Sequence, residues 1–159
     1  MHLHVVQFSG GIGSWSAAQR VIAQHGTKNL VLLIADTQVE DSDLWRFARE
    51  ASSQIGVELT VVADGRTPFQ VFWDQRFLGN SRLAPCSAIL KQQPCRRWLE
   101  ENARIENTIL YVGIDWSEAR RAPAIERARL GAVDSKISDV RTTLCQQRRH
   151  DGTLPNFGN

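Results

Sequence analysis

Apolar positions along residues 1–132 alternate between two patterns. Four short, nearly continuous runs stand at Leu3 to Phe8, Asn29 to Ala35, Val57 to Val62 and Thr108 to Val112. Their length and β-branched content are those of strands, and a continuous run suits a strand buried on both faces. The intervening stretches show helical spacing instead. The first helix is expected from about Ser14 to His25, ended by Gly26. The second spans Asp43 to Ile55, with Ser42 as cap, Leu44, Phe47, Ala48 and Ala51 on one face, and Gly56 at its end. Pro68 suits the first position of a short helix through Phe72 and Trp73. Residues Gln75 to Pro85 read as irregular. A helix from Ser87 to Asn102 contains Pro94, which lacks an N–H, so a kink or split is expected there. One more helix is expected over Pro123 to Leu130.

Strands alternating with helices predict an α/β fold, a Rossmann-like parallel sheet with helices on both faces. Ligands in such folds bind beyond the carboxyl ends of the strands, near the point where strand order reverses. The loops at 9–14, 36–42 and 113–121 all fall at that edge. After residue 132 the clear hydrophobes thin to Val133, Ile137, Val140, Leu144, Cys145, Leu154 and Phe157, without a period. Residues 133–159 are therefore expected to be a loosely structured tail.

Composition narrows this picture only a little. The chain has 159 residues, 42% of them hydrophobic, 23% charged, with a net charge of +2. That suits one globular domain, and the small charge does not indicate direct binding to nucleic acid or to a membrane surface. Met1 to His4 lead straight into the first strand, so no secretory leader is expected. No stretch approaches the ~20 apolar residues of a membrane span. Three cysteines without regular spacing fit the reducing cytoplasm. His2, His4, His25 and His150 show no metal-ligand spacing.

The candidate chemistry begins at Ser9-Gly10-Gly11-Ile12-Gly13-Ser14, a glycine turn between a strand and a helix start. A helix N-terminus presents unpaired N–H groups and partial positive charge, and glycines let an oxyanion approach the backbone. The loop has no lysine of the Walker type and is not GxGxxG. Taken alone it reads equally well as a tight turn. Three other segments accompany it: Asp36-Thr37-x-x-Glu40, Cys86-Ser87-x-x-Leu90-Lys91-x-x-Pro94 and Gly113-Ile114-Asp115-Trp116-Ser117-Glu118-x-x-Arg121.

In this order the four segments resemble the phosphoadenosine phosphosulfate (PAPS) reductase-like branch of the adenine nucleotide alpha hydrolases, the PP-loop ATP pyrophosphatases. The form is that of short phage or prophage members, and the resemblance covers about residues 4–130. It implies a nucleotide-binding domain over 1–132 whose ligand is ATP or a PAPS-like nucleotide. It also implies phosphate or sulfate contacts from Ser9, Gly10, Gly11, Gly13 and Ser14, with Lys91 and Arg121 neutralising charge. Ala35, Asp36, Thr37 and Glu40 would border the adenosine. Cys86, Asp115 and Glu118 are the candidates for catalysis.

Departures from the family pattern leave several readings open. Many PP-loop enzymes carry a magnesium-assisting Asp where this chain has Gly13, so Mg2+ would have to rely on Asp36 or Asp115. The Glu-Cys-Gly-Leu-His motif of the assimilatory reductases is missing, and Cys145 lies in a different context. The expected reaction is alpha-phosphate cleavage with adenylation of an undefined acceptor, or sulfur transfer. The alternatives are a nucleotide-binding subunit without catalysis, as a homo-oligomer or beside a partner, and a thiol-dependent sulfonucleotide reductase. Lys91 reads also as a solvated helix charge, Asp36 and Glu40 as helix-entry acids, and Cys95 as a small core residue.

Overall fold

The continuous apolar runs become the inner strands of one parallel sheet. A computed structural model describes residues 2–78, 85–115 and 141–147. Its strands are β1 (Leu3–Gln7), β2 (Leu30–Asp36), β3 (Leu59–Ala63), β4 (Thr108–Asp115) and β5 (Arg141–Gln147), in the order β3-β2-β1-β4-β5. All neighbouring pairs are parallel, with Val5 opposite Val31 on one side and Leu110 on the other. In β2, Leu32, Leu33 and Ile34 are buried in succession, which requires cover on both faces.

Two helical layers supply that cover. The helices are α1 (Ile12–His25), α2 (Ser42–Ile55), α3 (Pro68–Gln75), the single turn α4 (Pro85–Ser87), a π-helix (Ala88–Gln92) and α5 (Gln93–Asn102). On one face, Ala17, Ala18 and Val21 of α1 and Ala48, Ala51 and Ile55 of α2 pack with Val6, Phe8, Leu32, Ile34 and Tyr111. On the other, Cys95, Trp98 and Leu99 of α5 pack against Val5, Leu33 and Leu110. The small residues of α1 and α2 let these helices lie close to the strands. The α/β fold with a parallel sheet covered on both faces is thus the observed architecture.

Several boundaries differ from the sequence reading, each for a local reason. Asp41, not Ser42, caps α2, its carboxylate accepting from the Asp43 N–H. β3 starts at Leu59, two residues after Val57. β4 continues through Asp115, so Gly113 lies in a strand and not in a loop. The helix containing Pro94 is split: the Gln93 N–H donates to Ala88 five residues back, and Pro94 enters the first turn of α5. Pro94 has no N–H for the Leu90 carbonyl and its ring would crowd that group, so the widened turn accommodates it. Within the expected loose tail, Arg141–Gln147 is a strand that pairs with β4 from Ile109↔Arg141 to Asp115↔Gln147. Its sequence, RTTLCQQ, lacks the continuous apolar run that marks the inner strands, so periodicity gives no sign of it. The helix expected over Pro123–Leu130 and the remainder of the tail lie outside the described residues.

Candidate functional site

The chain steps from β1 outward to β2 and β3, then returns to place β4 on the opposite side of β1. That reversal puts the switch point between β1 and β4, beyond whose carboxyl ends the following connections leave in opposite directions. Ser9 to Ser14 lies there. Gly11 precedes α1 as its N-cap without a side-chain bond, and no acidic residue occupies the first turn. The N-terminus of α1 is therefore left electropositive, with its first N–H groups lacking intrahelical acceptors.

Two glycines shape this loop by necessity. Gly10 has φ 73°, and a Cβ there would lie 2.6 Å from Leu44 Cγ. Gly113 of β4 abuts the backbone of Gly13, where a Cβ would overlap the Gly13 carbonyl and approach the Ser14 nitrogen to 2.7 Å. Backbone against backbone brings α1 down onto β4 at the switch point. Ser14 is buried and donates to the Gly11 carbonyl at 2.8 Å, so its hydroxyl hydrogen shapes the loop. Ser9 donates a long 3.3 Å bond to Ser14 and stays exposed.

The loop after β2 is tied to itself. The Gln38 N–H donates to Asp36 at 2.7 Å, and Gln38 takes φ 65°. Buried Thr37 donates to Glu40 Oε1 at 3.0 Å. The same oxygen accepts Lys91 Nζ at 2.8 Å. Burial pushes the Glu40 carboxyl up, but the hydrogen bond and charge of Lys91 and the Thr37 hydroxyl outweigh it, and the group titrates below its ordinary 4.5. The π-turn carries Lys91 to this position while Leu90 inserts into the core.

These elements enclose a cavity of about 210 Å3 at the carboxyl edge of the sheet. Gln7 lines it from the end of β1 and Phe8 and Ser9 from the residues just after, Ile34 and Ala35 from β2, Val112 and Gly113 from β4, with Leu44 and Cys95 closing the two sides. Glu40 and Lys91 complete the wall. Pockets for drug-sized ligands are ~300–1,000 Å3, so this one is smaller than a site that would enclose such a ligand whole.

Of the residues in the four segments singled out in the sequence, Ser9, Glu40, Lys91 and Gly113 reach this cavity wall, as does Ala35 beside the second segment. Asp36 and Thr37 are engaged in the turn, and Lys91 is engaged with Glu40. Cys86 is half-buried in α4 and does not line the cavity, whereas Cys95 does, as part of the apolar cluster it was expected to join. Asp115 ends β4, its side chain outside the description; Glu118 and Arg121 fall outside the described residues. The structural part of Gly113 and the cavity-facing positions of Phe8, Leu44 and Val112 were not foreseen. Among the described residues, no group of three His, Cys, Asp or Glu side chains is placed to hold a metal ion, and no helix is long and apolar enough to cross a membrane. No protein-family model matches the chain, and no curated protein matches it significantly.

Proposed function

We propose that this chain is a PAPS reductase-like PP-loop protein that binds ATP or a sulfated adenine nucleotide. The observation that carries the reading is the uncapped start of α1 at the switch point, opening into a cavity with an apolar floor. The N–H groups of residues 10–14 and the Ser9 hydroxyl hold the terminal phosphate or sulfate. The ring rests on Phe8, Ile34 and Ala35. Glu40 faces the donors of the base or ribose, since both of its protein contacts fall on Oε1.

The reaction that goes with the resemblance is attack by an acceptor on the alpha phosphorus, with the bond to the pyrophosphate oxygen breaking. Backbone donors aimed at the leaving pyrophosphate would stabilise the charge developing there. Sulfur transfer from a sulfated nucleotide is the variant of this reading. Mg2+ would be bound by the nucleotide phosphates rather than by a protein cage. The compartment we assign is the cytoplasm, from the cysteine usage.

Calorimetry with ATP, AMP, adenosine phosphosulfate and PAPS tests the site. At least one of them should bind, and Ser9→Ala should abolish pyrophosphate release from ATP. Failure of all four to bind removes the reading. A second reading, nucleotide binding without catalysis, is favoured by the pairing of Lys91 with Glu40 and by the position of Cys86 away from the cavity. Tight binding with no turnover selects it. A thiol-dependent reductase, the third, requires that alkylation of the cysteines stop turnover.

A further inference from the structure

Glu40 and Lys91 come from opposite sides of the sheet. Glu40 precedes α2, which packs on the face of Phe8 and Ile34. Lys91 belongs to the π-helix that leads into α5, on the face of Val5 and Leu33. Their 2.8 Å contact therefore passes over the carboxyl end of β2, joining the two helical layers. The side chains are 19% and 46% exposed, whereas Phe8, Ile34 and Cys95 are at most 6% exposed. The pair is the rim of the cavity and the apolar residues are its floor.

We propose that the Glu40–Lys91 ion pair is a strap across the cavity, opened by a ligand that carries a phosphate or sulfate oxyanion, and that it thereby selects anionic over neutral ligands. The proposal rests on the reading of the glycine loop as an oxyanion site. A polyanion beside that loop repels the Glu40 carboxylate and competes for the Lys91 ammonium. A neutral ligand offers Lys91 no replacement partner, so the pair stays closed against it. The Lys91 side chain is 46% exposed, so water screens the pair from that side and can solvate the ammonium as a ligand parts it. Thr37 continues to hold Glu40 when Lys91 leaves, which keeps the carboxylate on the rim.

Cys95, buried in the α5 side of the cavity below this rim, reports the strap directly. In a Cys86→Ser, Cys145→Ser background, the rate of Cys95 alkylation by iodoacetamide is followed by mass spectrometry. Lys91→Met and Glu40→Gln should each raise that rate about fivefold or more, and Arg96→Met, which breaks the exposed Arg96–Glu100 pair on α5, should not. Millimolar pyrophosphate should accelerate the parent protein, and adenosine should not. Rates unchanged in both strap variants overturn the proposal, as does equal acceleration in Arg96→Met, which would mean general loosening. No effect of pyrophosphate overturns the selective part. The nucleotide reading fails separately, when calorimetry finds no adenine nucleotide bound while pyrophosphate still accelerates alkylation.

Discussion

At the scale of single residues, the contact between Gly113 and Gly13 makes unequal demands on its two partners. A Cβ on Gly113 would overlap the Gly13 backbone, whereas one on Gly13 would lie 3.9 Å from its nearest neighbour. Gly113→Ala should therefore destabilise by about 1–3 kcal/mol, the range for overpacking. Gly13→Ala should be within about 0.5 kcal/mol of the parent. Urea denaturation of the two variants checks this, and equal losses would contradict the geometry. His4 makes a second prediction. It is buried, 2.8 Å from the Tyr111 hydroxyl, with its ring stacked 4.1 Å from that of His25. Burial first, then the charges of His25 and His2, hold its pKa below the ordinary 6.5. The unfolded chain then binds the extra proton first, so stability is full above about pH 6.5 and falls as pH drops through the folded pKa. Urea midpoints should fall between pH 8 and pH 5, and His4→Gln should flatten that slope. Such pairings, like that of Lys91 with Glu40, join positions far apart in the chain and leave no mark in local spacing. The glycine pattern at 9–14 was legible because a turn before a helix is a local event.

The elements show the same division between local and long-range causes. The strands β1, β2 and β4 and the helices α1 and α2 were legible because their apolar periodicity is local and strong. β5 was not, because its sequence, RTTLCQQ, carries no apolar run, and its pairing with β4 joins positions some thirty residues apart in the chain. Pro94 announced a break, but a π-turn rather than a kink is the form taken, since Leu90 must still reach the core. The element on which the proposed nucleotide site depends most is α1, whose first turn carries no acid. Ile12 there is 58% exposed, so its replacement disturbs little packing. An acid at a helix N-terminus stabilises by about 0.3–1 kcal/mol through the dipole. Ile12→Asp should therefore raise the melting temperature of the unliganded protein. In the same position it opposes an incoming oxyanion, and the affinity for the nucleotide should drop about tenfold, which corresponds to about 1.4 kcal/mol. Opposite signs in the two measurements are the expected outcome. A parallel gain in stability and affinity would mean that the ligand does not sit on this helix.

For the whole molecule, the position of the cavity has a consequence that no single residue carries. Its wall draws on three strands and on both helical layers, with Leu44 from α2 and Cys95 from α5 facing each other across the sheet edge. A ligand held there contacts both layers and stabilises them as one unit. Binding to the native state alone adds about 2.7 kcal/mol when the free ligand is at 100 times its Kd. For a domain of this size each kcal/mol moves the melting temperature by about 2–4 °C. A saturating nucleotide should therefore raise it by about 5–10 °C. Hydrogen exchange distinguishes this from binding at the surface of one layer. Protection should appear together at residues 9–14, in the loop around Thr37 to Glu40, and in the π-helix around Lys91. Protection confined to the first of these would place the ligand on the glycine loop without entering the cavity. The thermal shift would then come from α1 alone, and the apolar floor of Phe8 and Ile34 would have to be explained as packing.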